Sequence, residues 1–392
     1  KDQMNTPHMD KIMHNATYDA GWLRAEGIEV KGTIIDTMVA APLVNENRFS
    51  YSLNNLGRDY IDMRKDEKML RAAAKDFGID PKSEMWRLPP KFVGPYAEQD
   101  ALMTLKLWER LRIEIDMQEL NTVFGLETKL IPILLDMRTK GVRVDLDKAE
   151  QAKQTLKARI VKLKKFIKDK TSVDIEPWAN ASVESVFKAL NLNYPKTELG
   201  APSFTKQFLL AHPHEVAQAI VKLREADKAD STFIDSILKH EYKGRIHCEF
   251  HQLRSDDGGT VTGRFSSSNP NLQQIPARDP EIKKLIRGLF IPEEGQKWGS
   301  FDYSSQEPRL LVHYCSVLGR HDRHPMIDEV IEEYHKGDAD FHQMVADLAG
   351  ISRKEAKTVN LGIMYGMGVA KLGAQLTLST EEAKSLMAKL EQ

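Results

Sequence analysis

Apolar residues recur three or four positions apart through the middle of the chain. Ala152, Leu156, Ile160, Leu163 and Ile167 form one such stripe and predict a helix over roughly 146–170, with Asp145 placed to cap its first turn. A second helical pattern covers 351–366, opening on the capping box Ser352…Glu355 and closing on Gly366. A third leads from Tyr96-Ala97-Glu98-Gln99-Asp100 into Leu102, Leu105 and Leu107, and a fourth opens at His14-Asn15-Ala16-Thr17-Tyr18-Asp19 and runs through Trp22 and Leu23. Strand signals are shorter. Ile34-Ile35-Asp36-Thr37 reads as a strand end, Gly141–Asp145 as a turn and strand, and Ile246–Phe250 alternates ahead of an Asp256-Asp257-Gly258-Gly259 turn. Phe301 and its neighbours predict one more strand with Asp302 at its end, followed by a helix through Leu310, Leu311 and Tyr314. Residues 173–212 look looser, punctuated by Pro177, Pro195 and Pro202.

Several of these elements carry candidate chemistry. A carboxylate at a strand end, as at Asp302, suits an Mg²⁺ ligand facing a cleft, with Glu307 and Arg309 a few residues on. Alone, the same residues describe a surface turn. Tyr96 and Asp100, four apart, share one helix face; the plainer reading is a packed tyrosine beside a solvated aspartate. Arg353, Lys357, Leu361 and Tyr365 are also spaced by four. Two cations, an apolar side chain and an aromatic hydroxyl make a graded stripe that suits a triphosphate at one end and a base and sugar at the other.

The stretch from Thr262 to Arg278 is polar and rich in amides and hydroxyls, and would lay donors along a minor groove; without context it is a loop with a helix cap. Between 151 and 170, Lys153, Lys157, Arg159, Lys162, Lys164, Lys165, Lys168 and Lys170 face a single acid, Asp169. Such a run is either a solvated face or a phosphate-contacting one. Arg224 and Lys228 stand one turn apart on a later helix.

Composition narrows the picture. At 392 residues the chain has material for two or three domains, and its net charge of −1 means that any attraction to nucleic acid must come from local patches. Two cysteines, Cys248 and Cys315, exclude a disulfide framework or a cysteine-type zinc site and fit a reducing compartment. No apolar run is long enough to span a membrane. The first residue, Lys1, opens no signal-peptide pattern, and Gln392 lies in an unfinished helical one, so both ends read as cuts.

Taken together these segments resemble family A DNA polymerases, the bacterial DNA polymerase I class, most of all its bacteriophage members. Thr262–Arg278 is similar to the family's thumb–palm DNA-contact segment, Asp302–Arg309 to its first palm motif, and Arg353–Gly366 to its fingers helix. Asn15–Asp19 and Tyr96–Asp100 look like the second and third motifs of the attached 3′–5′ exonuclease. The resemblance spans nearly the whole chain and implies an α+β multidomain fold. It would comprise an RNase H-like α/β exonuclease domain at 1–112 and a right-hand polymerase, with a helical thumb at 113–245, the start of the palm at 246–310 and partial fingers at 311–392.

The implied roles follow residue by residue. Asp302, with the carbonyl of Tyr303, would bind two Mg²⁺ ions. Arg353, Lys357 and His342 would hold the incoming dNTP, Tyr365 would pack beside the nascent base pair, and Glu307 would favour deoxynucleotides. Leu361 stands where the family usually has Phe or Tyr. Arg264, Gln273, Gln274 and Arg278 would touch primer–template DNA, while the basic helix, Arg224 and Lys228 would grip the duplex backbone. In the exonuclease, Asp19 and Asp100 would hold two metal ions, Tyr96 would orient the attacking water, and Asn15 would lie near the primer's 3′ end.

Pro308 and Ser305 also depart from the family's pattern. The first exonuclease motif, Asp-x-Glu, is expected before Asn15 and the palm's His-Asp-Glu after Gln392, so the polypeptide alone is expected not to polymerise. A split polymerase needing a second chain is therefore an open reading, as is a processivity factor among its partners. A ribonuclease D-like exonuclease would leave 246–392 without purpose, and Glu307 argues against a single-subunit RNA polymerase. The expected setting is the cytoplasm of a bacterium or a phage-infected host.

Overall fold

The computed structural model describes residues 2–276, 279–318, 327–337, 340–376 and 378–390. The chain divides into two compact units, 1–297 and 298–392.

In the first unit, β1 (Lys11–Met13) pairs in parallel with β2 (Ile34–Asp36), Lys11 opposite Ile34 and Met13 opposite Asp36. Parallel strands need a crossover, and α1 (Ala16–Ala25) supplies it. Ala16 and Ala20 of α1 join Met13 and Ile34 in a core closed by Ile131 and Leu135 of α6 (Asn121–Lys140). Around this layer lie α2 (Thr37–Val44), α3 (Leu53–Ile61), α4 (Lys68–Asp76) and the long α5 (Pro90–Met117). Tyr51 and Leu56 pack there on Met103, Leu107, Leu111 and Ile115 of α5. The boundary expected at 112 thus falls inside a helix whose apolar face runs on to Ile115. Likewise α6, placed by sequence at the start of the thumb, belongs to the core of the layer before it.

Gly141 ends α6 at φ +63°, where an added Cβ would lie 2.7 Å from the carbonyl oxygen of Ile246. It leads into β3 (Val142–Val144), and Asp145 caps α7 (Leu146–Thr171) by accepting the Lys148 amide at 3.0 Å. The helices α8 (Asn180–Ala189), α9 (Lys206–Ala211) and α10 (Glu215–Lys228) close over Phe187, which meets Tyr194, Phe204, Phe208 and His212. A π-helical turn, Ala229–Ile234, carries the chain into α11 (Asp235–Lys239).

Next come β4 (Glu241–Tyr242), β5 (Arg245–Ile246), β6 (Glu249–His251), β7 (Ser266–Ser268), α12 (Pro280–Arg287) and β8 (Phe290–Ile291). Four strands form an antiparallel sheet in the order β4-β5-β3-β8, while β6 pairs with β7 alone. The single strand expected over 246–250 is therefore two strands in different sheets. The break falls at His247 and Cys248, where the His247 ring is held by the Arg138 carbonyl at 2.9 Å and Cys248 is buried.

The second unit is helical: α13 (Gln306–Leu318), α14 (Ile327–Lys336), α15 (Phe341–Ala349), α16 (Arg353–Met364), α17 (Val369–Leu376) and α18 (Thr380–Leu390). The strand expected at Phe301 does not form. That ring is 97% exposed, and no strand among the described residues pairs with it. Extended backbone gains its ladder only from a partner, so a lone segment stays irregular. By contrast α16 starts and stops where its spacing predicts. Ser352 and Glu355 form the reciprocal capping box. Gly366, at φ +76°, closes a Schellman turn in which the Met367 amide donates to Gly362 O at 2.8 Å and the Gly366 amide to Ile363 O at 2.9 Å.

Phe187 anchors the helical tip, so Phe187→Ala is expected to cost about 3–5 kcal/mol there. Native-state hydrogen exchange over α8 and α10 measures this; a loss of protection worth under about 1 kcal/mol would place the ring outside the tip's core.

Candidate active site

The chemistry of the first unit begins at the β1–α1 junction. Asp36, at the end of β2, is 5% exposed and accepts backbone amides from Asn15 at 3.0 Å, Ala16 at 2.7 Å and Met38 at 2.8 Å. One carboxylate thus serves the N-termini of both α1 and α2. Burial pushes its pKa up to about 6 despite these donors. Asn15 turns the chain through a left-handed conformation (φ 68°), which aims the first turn of α1 and with it Asp19. Beside the junction His14 shares a 2.8 Å bond with the Thr37 hydroxyl; burial, with Lys65 nearby, holds its pKa down at about 4, so the ring is neutral.

The middle of α5 brings Tyr96 and Asp100 onto one face, as their spacing implies. A single side chain not foreseen from sequence, Lys65, bonds both: its ammonium donates to Asp100 Oδ2 at 2.6 Å and to the Tyr96 hydroxyl at 3.1 Å. Asp100 Oδ1 is buried without a partner. Asp19, across from it, has its pKa raised by desolvation and by the negative charge of Asp100. The two carboxylates lie close enough to interact, and Asp100 keeps one oxygen free of the Lys65 ammonium, so these residues fit a divalent cation. They supply two carboxylates; among the described residues no group of three His, Cys, Asp or Glu side chains is spaced to hold a metal ion. A cavity of about 370 Å³ opens beside α1, lined among others by Asn15, Tyr18, Arg138, Glu249 and Asn269.

In the second unit, Asp302 and Tyr303 are exposed in the irregular segment before α13, and Asp302 makes no hydrogen bond or ion pair among the described residues. Glu307 lies in the first turn of α13. The stripe on α16 is present, but its members differ from the simple ridge expected. Arg353 is engaged by Asp340, Nε to Oδ2 at 2.6 Å, because Asp340 caps α15 directly beside it. His342 is 5% exposed, its Nδ1 3.1 Å from the Asn360 amide nitrogen, and desolvation lowers its pKa. The ring expected to help hold the triphosphate is thus buried beside Asn360. Glu307, Arg353 and Lys357 all act on it electrostatically, which brings these four side chains into one neighbourhood. Lys357 is exposed, Leu361 half-buried and Tyr365 68% exposed.

The residues expected to grip DNA fare unevenly. Arg224 is a structural clamp: its guanidinium donates to the carbonyls of Pro177 and Phe204, both at 2.7 Å, and lies over the Trp178 ring. Proline-rich turns left those carbonyls without helical partners, and a buried carbonyl needs a donor. Lys228 is exposed. On α7, five of the eight cations are paired with acids from other elements: Lys153 with Asp235, Arg159 with Glu281, Lys164 with Glu176, Lys168 with Asp174 and Lys170 with Glu215. Arg264 and Gln274 are exposed, Gln273 spends its amide on the Phe265 carbonyl at 3.1 Å, and Arg278 lies outside the described residues.

The sequence profile of DNA polymerase family A matches residues 146–392, and that of a 3′–5′ exonuclease matches residues 1–116. The chain belongs to DNA polymerase family A. It is 39% identical over 387 residues to a DNA-directed DNA polymerase of Pseudomonas phage M6, covering 95% of this chain and 58% of the relative. It is 31% identical to the DNA polymerase DpoZ of Acinetobacter phage SH-Ab 15497, over 94% of this chain and 63% of that protein. DNA polymerase I of Chloroflexus aurantiacus is 29% identical, over 97% of this chain and 40% of its own length. The fold is that of the POL domain of Pol1 from M. smegmatis, solved in complex with DNA primer-template and dNTP. The TM-score is 0.78 at 25% identity, over 99% of this chain and 64% of that one. The chain therefore spans about three-fifths of the length of its phage relatives.

Asp36→Asn keeps one acceptor but turns an amide N–H₂ toward a backbone donor. It is expected to cost about 1–3 kcal/mol and to release to exchange the amides on the oxygen replaced, Asn15 and Met38 at Oδ1 or Ala16 at Oδ2. Unchanged protection at all three amides would show that the carboxylate does not hold the junction.

Proposed function

We propose that this chain is the exonuclease, thumb, partial palm and partial fingers of an enzyme that adds dNTPs to a primer 3′ end on a DNA template and trims mismatched ends in the 3′–5′ direction. The observation that carries the reading is the α16 stripe, with Lys357 exposed one turn from Arg353 and beside His342 and Glu307. Phosphoryl transfer needs charge neutralisation and in-line positioning more than covalent help, and this surface offers the first. Lys357 presents a compact charge to the triphosphate. Arg353 adds a guanidinium once the phosphates displace Asp340, an exchange that an exposed ion pair allows at little cost. His342, with its Nδ1 facing the Asn360 amide, is left with Nε2 as its donor. Glu307 closes the space beneath the sugar C2′, which favours deoxynucleotides. Tyr365, left exposed where α16 stops, packs beside the nascent base pair.

Asp302 and the Tyr303 carbonyl would hold the two Mg²⁺ ions of the polymerase centre, and Asp19 and Asp100 those of the exonuclease centre. Bound there, the ions align the attacking oxygen and neutralise charge developing on the phosphoryl group. In the exonuclease, Tyr96 orients the water and Asn15 meets the displaced primer end at the cavity beside α1. Arg264, Gln273 and Gln274 contact the primer–template, while Lys157, Lys162, Lys165 and Lys228 supply phosphate contacts from the thumb. Primer–template DNA and dNTPs are the partners, and a second polymerase chain or a processivity factor would complete the assembly.

Titration of the chain with a fluorescent dNTP in Mg²⁺ tests the central contact. Lys357→Ala is expected to weaken binding tenfold or more, about 1.4 kcal/mol, with Thr358→Ala on the neighbouring face as control. Equal affinity of the two variants would remove the nucleotide site from α16.

A further inference from the structure

Lys65 is the least expected member of the exonuclease half-site. It lies beyond α3 in the segment 62–67, where a lysine would ordinarily be a solvated surface charge. Here its side chain is only 16% exposed, and the backbone around it is held from two helices. The Lys65 amide donates to Asn54 Oδ1 of α3 at 3.0 Å. Gln99 of α5, between Tyr96 and Asp100 in sequence, grips both flanks: its Oε1 accepts the Asp66 amide at 2.8 Å and its Nε2 donates to the Arg64 carbonyl at 3.1 Å. These three bonds fix the root of a side chain whose ammonium then reaches Asp100 Oδ2, the Tyr96 hydroxyl and, at 5.1 Å, the face of the Tyr96 ring.

We propose that Lys65 is a positioning residue of the exonuclease centre, tying Tyr96 and one oxygen of Asp100 together so that the other oxygen is held available to a divalent cation shared with Asp19. Resting on the exonuclease reading, the inference adds a residue that neither the carboxylates nor the tyrosine would reveal. A carboxylate with one oxygen bound by a rigid donor has lost most of its rotational freedom before the ion arrives. Tyr96 is fixed by the same donor, so the hydroxyl and the carboxylate keep one mutual geometry. A lysine that merely filled the cation's place would act in the opposite sense, since an ammonium beside the site repels the ion that enters it.

That difference of sign makes the test. Mn²⁺ binding to the whole chain is followed by electron paramagnetic resonance, with Asp100→Asn defining which binding belongs to this site. If Asp100→Asn and Asp19→Asn leave Mn²⁺ binding untouched, the exonuclease reading itself fails. Given that they abolish it, Lys65→Met is expected to weaken Mn²⁺ about tenfold, and Lys65→Arg, which keeps both donors, to recover most of it. Tighter or unchanged binding in Lys65→Met overturns the proposal. Thermal unfolding of each variant separates a folding defect; should Lys65→Met fail to fold, Gln99→Ala, which loosens the root alone, is expected to weaken Mn²⁺ at least threefold, and wild-type affinity there overturns the proposal.

Discussion

The first unit depends on how one buried negative charge is satisfied. Asp36 costs folding energy simply by being ionised out of water, which its elevated pKa registers. Three backbone amides, left orphaned at the starts of α1 and α2, offset that cost by donating to it. The two helices and the β1–β2 pair are thereby fixed at one point. The position of Asp19 follows from this: it sits on the first turn of a helix whose origin is tied to that carboxylate. Asp100 reaches the same place from the middle of α5. Two carboxylates arrive there on independently anchored elements; Lys65 offsets part of the charge on Asp100, and the oxygen it leaves unpartnered remains for a cation.

Charge is handled differently on the surfaces expected to meet phosphate. The chain is nearly neutral, and several of the cations expected to meet phosphate are engaged within it: five on α7 by acids, Arg353 by Asp340, and Arg224 by two carbonyls. These are not equivalent. Arg224 supplies the donors that two backbone carbonyls require, so a ligand that borrowed it would leave them unpaired. The α7 pairs and Arg353–Asp340 are largely exposed, and such pairs are worth little individually. A polyanion that releases its counterions can take the cation from its acid, leaving the acid to water. A protein with little net attraction for nucleic acid can in this way hold a conditional one.

How much of this was legible in the sequence divides along the range of the interactions. The α16 capping box and its glycine stop, the Asp145 cap and the shared face of Tyr96 and Asp100 all depend on residues within five positions of one another. Each formed where spacing placed it. What spacing did not reveal lies where a distant residue decides. Arg224 answers carbonyls at 177 and 204, Arg353 an aspartate 13 residues away, and Lys65 a helix 31 to 35 residues on. No periodicity encodes such partners. Lys65 in particular sits in Met63-Arg64-Lys65-Asp66, a stretch with no pattern at all, and only bonds to Asn54 and Gln99 show that its backbone is held.

The segment around Asp302 shows the same rule at its limit. Its side-chain pattern favours an extended conformation, yet extended backbone is stable only when another strand takes up its amides and carbonyls and something covers its apolar face. Phe301 and Tyr303, both exposed, are the side chains such a sheet would bury on one face. Asp302 alternates to the other face, the one that would be left open. An acidic residue is thus flanked by two aromatic ones that ask for a core, in a segment that no described strand meets. The metal-binding role proposed for Asp302 is consequently not a property of this segment alone. It requires the pairing that would turn the segment into a strand and fix the direction of its one carboxylate.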